Sequence, residues 1–289
     1  MSGGIDSTAA ALLLKQAGHD VTGFHMRLHA ASERSSKEAR AMAYELGVPL
    51  REVDLRRDFA ELIVRPFVNE YAAGRTPSPC PRCNRLIKMT RLYEETRRMG
   101  CDALATGHYA RIEQTETGPA LLKGLDAKKD QSYFLFALTR DMLRRTVFPL
   151  GTFAKTAVRE LLKQKGLSVW ESEESQELCF IPKGDYRTFL EQNGITSRPG
   201  PICDVRGKIL GQHKGITGYT VGQRRGLGAC GPKPHYVARI DARSNTVIVG
   251  TREEILAHRL TVTAVHLLTS EPLAEGKRIF VKVRSTAKA

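Results

Sequence analysis

The feature that most constrains the fold is a regular alternation of strand-like and helical patterns through residues 1–183. VTGFHM and LREVDL have the pattern of strands, and CDALATGHYARI returns to it later in the chain. Between the first two lies SKEARAMAYELGV, whose apolar residues form one helical face: Ala39, Met42, Ala43 and Leu46. FAELIVRPFVNEYAAG and IKMTRLYEETRRMG are typical of further helices. The alternation predicts an α/β fold with a doubly wound parallel sheet.

The pattern changes after residue 183. Glycines and short β-rich runs then dominate, including HYVARID, TVIVG, LTVTAVHLL and RIFVKVR. Short strands with frequent turn signals predict small β-barrel-like modules. We therefore expect a catalytic α/β domain over residues 1–183, a central β-rich domain over 184–246 and a C-terminal β-barrel domain over 247–289.

The charge balance indicates a polyanionic partner. Lys and Arg number 45 against 31 Asp and Glu, a formal charge of +14 with a pI near 9.7. Such an excess favours binding to nucleic acid phosphates, although a solvated basic surface is the alternative. No apolar run approaches the length that spans a bilayer. The first residues lack the basic start of a signal peptide and include Asp6, so we expect a cytoplasmic protein.

Six cysteines in a chain of this length do not indicate a disulfide scaffold. Cys80 and Cys83 are three residues apart in TPSPCPRCNRLIK. In a reducing compartment such a pair points to metal binding, redox chemistry or nucleophilic catalysis. Cys101 could serve as a fourth metal ligand but is expected to pack, and Cys203 and Cys230 are expected to be structural or incidental.

The segment SGGIDST, residues 2–8, has the composition of a phosphate-binding loop. Its glycines allow close approach of backbone N–H groups to an anion, and its serines add hydroxyl donors. The helix that follows, with Ser7 as its expected N-cap and Gly18 at its end, adds a favourable dipole. Asp6 could help to bind Mg²⁺. A tight turn with an N-cap is the alternative interpretation.

Several motifs follow this loop in order: GRTPSPCPRCNRLIKM, LATGHYARI, KKDQSYFL, FPLG, ESQELCFIP, GDYRTFL and YTVGQRRGLG. Together they resemble the bacterial tRNA-specific 2-thiouridylase family of PP-loop ATP-pyrophosphatases. The resemblance implies an adenine nucleotide alpha hydrolase-like fold and ATP-dependent 2-thiolation of the wobble uridine, U34, of tRNA. In this reaction ATP adenylates the C2 oxygen, and a cysteine persulfide supplies sulfur. The implied partners are tRNA with anticodons of the Lys, Glu or Gln type, and a sulfur carrier or cysteine desulfurase.

The resemblance also implies roles for individual residues. Cys179 would carry the persulfide, and Cys83 would release the sulfur by closing a disulfide with it. The expected contacts of ATP and Mg²⁺ are Ser2, Gly3, Gly4, Asp6, Ser7, Met26 and Gly107. The expected contacts of tRNA are Ser78, Pro79, Cys80, His108, Lys129, Asp130, Gln131, Arg284 and Ser285.

One departure from the family pattern leaves the sulfur chemistry open. Many members have Asp where this chain has Cys80, so Cys80, Cys83 and Cys179 could together hold a [4Fe–4S] cluster with one open iron. An ATP-pyrophosphatase of the amidoligase or synthetase type, or a tRNA-binding module, are further alternatives. The family pattern has a strand before the SGG loop and more strands after Arg284, so we expect the sequence to lack both and to be poorly stable.

Overall fold

The computed structural model describes residues 1–29, 32–172, 178–181, 186–228, 233–269, 273–285 and 287. The chain divides into two compact units. The first comprises Met1–Leu62, Cys80–Glu174 and Val265–Ala289, and the second comprises Ile63–Pro79 and Ser175–Ala264. The domain limits expected at residues 183 and 246 stay predictions.

Parallel strand pairs form the sheets at the centre of the first unit. Strand β1 (Gly23–Arg27) pairs with β2 (Leu50–Asp54), and β3 (Leu104–Ala105) pairs with β6 (Thr146–Val147). An antiparallel hairpin joins β4 (Ala110–Thr115) to β5 (Gly118–Lys123). Since parallel pairing requires helical crossovers, these pairs confirm the α/β class predicted from the alternation.

The helices alternate with these strands as the sequence predicts. In chain order they are α1 (Ile5–Gln16), α2 (Glu33–Leu46), α3 (Arg56–Phe59), α4 (Arg65–Ala72), α5 (Pro79–Cys83), α6 (Tyr93–Arg98), α7 (Arg140–Arg144), α8 (Lys155–Gln164), α9 (Tyr186–Gln192) and α10 (Arg252–Ile255). Two segments have π-helical hydrogen bonding, Ala60–Val64 and Asn84–Leu92. Short 3₁₀ turns occur at Ser132–Leu135, Ser168–Glu171 and Ile216–Gly218.

The start of α1 differs from the prediction, and its end agrees with it. Gly4 is the N-cap, and Ser7 lies inside the first turn, where its hydroxyl donates to the Gly4 carbonyl oxygen at 3.1 Å. Ser7 as N-cap is therefore wrong, because Gly3, with φ at 83°, turns the chain into the helix earlier. Gly18, with φ at 86°, follows the last helical residues as expected.

Helix α1 lies at the centre of one hydrophobic core of the first unit. Its buried residues, including Ile5 and Ala9, pack with α2 and α8. All four residues of the predicted apolar face of α2 are buried, which confirms that face. A second core lies around β1, β3 and the hairpin and contains Phe24, Leu104 and Ala110. Helix α1 thus belongs to one core, and β1 and β3 belong to the other.

The second unit contains a four-stranded sheet. Its strands are β7 (Gly200–Asp204), β8 (Ile209–His213), β9 (Tyr236–Asp241) and β10 (Thr246–Gly250), in the spatial order β8-β7-β10-β9. Buried valines of β9 and β10 pack with Ile202 and Leu227 beneath the sheet. This sheet confirms the β-rich character predicted after residue 183.

The described part of residues 256–285 contains no strand, so the two strands predicted from LTVTAVHLL and RIFVKVR are wrong. Val262, Val265, Ile279 and Phe280 are exposed there. Strands are stable only when a hydrogen-bonded neighbour and a buried face support them, and the described residues of this segment provide neither. The alternating pattern alone therefore did not determine the structure.

Within the residues that the structure describes, no helix has the length and apolarity needed to cross a membrane.

Replacing Gly3 by Ala tests how closely the SGG loop packs on α2. A Cβ at Gly3 would lie 2.7 Å from backbone atoms of Glu38 and Ala39, whereas a Cβ at Gly18 would meet nothing within 4 Å. Both glycines have positive φ, so Gly18→Ala is a matched control for the conformational cost of about 1–2 kcal/mol. We expect Gly3→Ala to cost about 1–3 kcal/mol more than the control, because the loop or the helix must move.

Urea denaturation of the two variants and the unaltered protein measures this difference. Equal losses of stability for Gly3→Ala and Gly18→Ala would show that the loop does not press on α2.

Candidate nucleotide and thiol site

The SGG loop lies at the N-terminus of α1, beside β1. The Met1 amino group donates to the Phe24 carbonyl oxygen, and the His25 ring nitrogen Nδ1 lies 3.0 Å from the Met1 carbonyl oxygen. The Ser2 N–H donates to the Ser7 hydroxyl at 3.0 Å. A glycine loop with two hydroxyl groups at the start of a 12-residue helix can bind an anion.

Asp6, in the first turn of α1, has two partners from distant parts of the chain. Lys155 Nζ donates to Asp6 Oδ1 at 2.5 Å, and the Tyr109 hydroxyl donates to the same oxygen at 3.0 Å. Lys155 is only 7% exposed. Its backbone N–H donates to Asp126 Oδ2 at 3.0 Å, which fixes the start of α8. The Asp6 carboxylate is therefore held at the loop by a buried cation.

Lys155 and Tyr109 were missed by sequence reasoning. They lie 149 and 103 residues from Asp6, so no local spacing connects them. One signal was present: Lys155 begins a helix, where the helix dipole disfavours a cation. A carboxylate partner offsets this unfavourable interaction, and Asp6 supplies one.

Gly107 brings the end of β3 against the start of α1. A Cβ at this position would lie 2.7–2.8 Å from the backbone and Cβ of Asp6. Only glycine allows this approach without a shift of the backbone. Met26 lies in β1 and packs against the second core of the first unit. Thus Gly107 is joined to the SGG loop, as expected for two parts of one site.

His108 follows Gly107 and is buried, with 8% of its surface exposed. Its Nδ1 lies 2.7 Å from the Thr106 hydroxyl oxygen, and its Nε2 lies 3.4 Å from Lys88 Nζ. The ring packs edge-on against Phe148, with 5.8 Å between centroids. Burial, together with the charge of Lys88, lowers the pKa of His108 well below its ordinary value, so the ring is neutral.

The two thiols of the CxxC motif lie on α5, whose C-terminal end is fixed by two side-chain hydrogen bonds. Arg82 Nε donates to the Leu62 carbonyl oxygen at 2.6 Å, and the Asn84 side-chain amide donates to the Phe134 carbonyl oxygen at 3.0 Å. Both Cys80 and Cys83 are half-buried. Burial raises the pKa of the Cys80 thiol, and the charge of Lys88 acts in the opposite direction.

The loop at residues 129–131 is fixed beside Tyr109. Asp130 accepts hydrogen bonds from the backbone N–H groups of Gly124 and Ser132, at 3.0 and 3.1 Å. Gln131 Oε1 accepts from the Tyr109 backbone N–H at 3.0 Å. Lys129 is half-buried. Asp130 and Gln131 thus hold the loop in shape.

The remaining expected tRNA contacts of the first unit are Arg284 and Ser285, which are exposed.

Cys179 belongs to the second unit, together with Ser78 and Pro79. It is exposed, whereas the next residue, Phe180, is buried. Phe180 packs edge-on against Phe67 and Phe189, each with 5.3 Å between centroids. The aromatic contacts of Phe180 therefore anchor the short turn that presents the thiol.

Among the described residues, no three His, Cys, Asp or Glu side chains are grouped closely enough to hold a metal ion. Cys101 is half-buried, and it packs against the second core of the first unit. Cys203 is buried in the second unit, and Cys230 lies outside the described residues.

Two family models match the chain. The model described as tRNA methyl transferase HUP domain matches residues 1–183. The model described as tRNA methyl transferase PRC-barrel domain matches residues 187–251. A HUP domain followed by a PRC-barrel domain agrees with the observed α/β unit and β-rich sheet.

Curated relatives match over nearly the whole chain. The tRNA-specific 2-thiouridylase MnmA of Syntrophotalea carbinolica is 48% identical, over 94% of this chain and 80% of the relative. The enzyme of the same name from Geobacter metallireducens is 46% identical, over 92% and 77%. That of Acidithiobacillus ferrooxidans is 42% identical, over 100% and 84%. These matches confirm the resemblance predicted from the ordered motifs: the chain belongs to the tRNA-specific 2-thiouridylase family.

Proposed function

We propose that this protein is a tRNA-uridine 2-sulfurtransferase, which uses ATP to replace the C2 oxygen of the wobble uridine, U34, by sulfur. One observation carries the proposal beyond family membership. Gly107 packs against Asp6 of the SGG loop, and the adjacent His108 contacts Lys88 of the segment that follows the CxxC motif. The SGG loop and the segment that follows the thiol pair therefore meet beside the end of β3, which supports the proposal.

The nucleotide would bind at this end of the sheet. Ligands of open α/β sheets bind beyond the carboxyl ends of the strands, where Met26 and Gly107 lie. The backbone of the SGG loop and the hydroxyls of Ser2 and Ser7 would hold the phosphates. Asp6 is the carboxylate available for Mg²⁺, and Lys155 sets its position. The full set of residues proposed for ATP is Ser2, Gly3, Gly4, Asp6, Ser7, Met26 and Gly107.

The tRNA would bind through the excess positive charge and through residues implied by the family. The formal charge of +14 supplies sequence-independent affinity for phosphates. The residues proposed for tRNA are Ser78, Pro79, Cys80, His108, Lys129, Asp130, Gln131, Arg284 and Ser285. The target base must leave the anticodon stack for chemistry at its C2 atom. We propose anticodons of the Lys, Glu and Gln type, and the cytoplasm as the location.

Two thiols would transfer the sulfur. The C2 oxygen attacks the α-phosphorus of ATP, and pyrophosphate leaves. The terminal sulfur of a persulfide on Cys179 then attacks C2, and AMP leaves. Cys83 attacks the Cys179 sulfur, so the new S–S bond joins the cysteines and the thiouridine sulfur is released. An external thiol must reduce this disulfide, and a sulfur carrier or cysteine desulfurase must reload Cys179.

A [4Fe–4S] cluster is the second candidate route, favoured only by the presence of Cys80 beside Cys83. Three thiolates must converge to hold such a cluster. The described residues contain no group of three such ligands, and Cys80 and Cys83 belong to the first unit whereas Cys179 belongs to the second. Cys80 instead has a raised pKa in a half-buried position, as suits a neutral thiol.

The defining experiment is formation of 2-thiouridine in a tRNA transcript with U34, using ATP and a persulfide donor. A transcript with cytidine at position 34 is the matched control. ATP-dependent thiolation of the first transcript alone supports the proposal. Pyrophosphate release that needs no tRNA would indicate an amidoligase or synthetase instead, and tRNA binding without ATP turnover would indicate a binding module.

Replacing Lys155 by Met tests its role at the SGG loop. The change leaves Asp6 without its buried cation, so we expect tRNA-dependent pyrophosphate release to fall by about 10²–10³-fold, as for loss of one preorganised charge. Affinity for tRNA should stay unchanged. Tyr109→Phe removes only the other hydrogen bond to Asp6 and should reduce the rate by less. Equal rates for Lys155→Met and the unaltered enzyme would rule out this role.

Three single cysteine variants test the sulfur route. Cys83→Ser and Cys179→Ser should abolish thiolation by iron-free protein, while Cys80→Ala should keep it within a few fold of the unaltered rate. Cys101→Ala, which changes another half-buried thiol, is the matched control. Thiolation is measured with a persulfide donor after iron has been assayed. Loss of activity in Cys80→Ala, together with loss of bound iron, would favour the cluster route.

A further inference from the structure

Lys88 is a charged residue that the proposed mechanism does not use, yet it lies inside the site. It belongs to the π-helical segment Asn84–Leu92, directly after α5. Its side chain is half-buried, and Nζ lies 3.4 Å from Nε2 of buried His108. π-Helical segments are rare in proteins, and those that exist are often found at functional sites. A lysine within such a segment is therefore a candidate functional residue.

The contact defines which nitrogen of His108 carries the proton. A lysine ammonium can only donate, so Nε2 must accept and be unprotonated. The proton of the neutral ring therefore lies on Nδ1, which donates to the Thr106 hydroxyl oxygen at 2.7 Å. Thr106 itself is fixed to β6, because its backbone N–H donates to the Val147 carbonyl oxygen at 3.1 Å. The chain from Thr106 through His108 to Lys88 thus orients one ammonium group.

The Lys88 ammonium is connected to the SGG loop through His108 and Gly107. His108 is the residue after Gly107, whose backbone packs against Asp6. Lys155, which is buried, is already paired with Asp6. A neutral histidine acceptor leaves the charge of Lys88 uncompensated by that contact. Such a cation can attract a negatively charged oxygen of a substrate.

We propose that Lys88 is a catalytic residue that contacts the α-phosphoryl group of ATP, and that His108 is a positioning residue that holds Lys88 through the Nδ1–H tautomer. This inference rests on the proposed function and deepens it. His108 would then serve the tRNA reaction through Lys88, since its own side chain is buried.

Lys88 would act in both chemical steps of the reaction. In the first, the bond between the C2 oxygen and the α-phosphorus forms while the bond from that phosphorus to the pyrophosphate oxygen breaks. In the second, the bond from C2 to that oxygen breaks, and the electron pair leaves with AMP. Negative charge develops on the α-phosphoryl oxygens in each step, and a preorganised cation stabilises it.

The test measures pyrophosphate release, 2-thiouridine formation and tRNA affinity for the same set of full-length variants. Lys88→Met removes the charge, and Lys88→Arg keeps it. His108→Gln keeps an acceptor for Lys88, whereas His108→Leu removes it. The matched control is Lys165→Met, which removes one positive charge from an exposed lysine after α8. Thermal unfolding of every variant identifies any that fail to fold.

We expect Lys88→Met to lower the rate constant for pyrophosphate release by about 10²–10³-fold at saturating tRNA. Lys88→Arg and His108→Gln should recover much of that loss, while His108→Leu should not. Lys165→Met should match the unaltered enzyme. The dissociation constant for tRNA should change less than twofold for the Lys88 and Lys165 variants. A structural role alone would not separate His108→Gln from His108→Leu when both are folded.

Two results would overturn the proposal. Unaltered pyrophosphate release in folded Lys88→Met would show that the ammonium does not act on the phosphoryl group. Weaker tRNA binding, with a salt dependence shallower by about 0.7–0.9 in log–log slope, would make Lys88 a contact of an RNA phosphate instead. Absence of ATP-dependent thiolation by the unaltered enzyme would overturn the proposed function as well, whereas the first two results leave it intact.

Discussion

The ion pair between Asp6 and Lys155 is the interaction on which the site depends. A buried lysine is costly unless a partner compensates its charge, and removal of one partner of such a pair is strongly destabilising. Lys155 is 7% exposed and begins α8, so its pairing with Asp6 ties that helix to the start of α1. The hydroxyl of Tyr109, directly before β4, completes the junction. Three elements therefore meet at one carboxylate.

The same end of the sheet holds a second lysine by a different means. Lys155 faces a carboxylate, whereas Lys88 faces the neutral ring of His108. In an ion pair the carboxylate neutralises the charge of the lysine. A neutral acceptor orients the lysine and leaves its charge in place. The first contact therefore fixes the loop, and the second leaves the positive charge of Lys88 in place, as its proposed role requires.

The sequence predicted those features of the fold that depend on local patterns. The buried face of α2 follows from 3.6-residue periodicity, and the end of α1 follows from Gly18, since both signals lie within one element. Lys155 is 149 residues from Asp6 in the sequence, and Lys88 is 20 residues from His108. No periodic pattern predicts contacts between residues so far apart. The start of α1 was misassigned because the left-handed Gly3, rather than a serine, turns the chain. The strands expected after residue 256 are absent from the described residues, because an alternating sequence forms a strand only when a neighbouring strand pairs with it.

The electrostatics around α5 bear on why a cysteine can replace the aspartate that many family members have at position 80. A carboxylate there would lie near Lys88 and compensate its charge. Burial raises the pKa of the Cys80 thiol, so at neutral pH this side chain leaves the lysine charge in place. The exchange therefore favours a site in which Lys88 attracts an oxygen of the substrate rather than a residue of the protein. On this argument the proposed role of Lys88, five residues beyond the CxxC motif, agrees with Cys83 as the proposed reactive thiol and with Cys80 as its neutral neighbour.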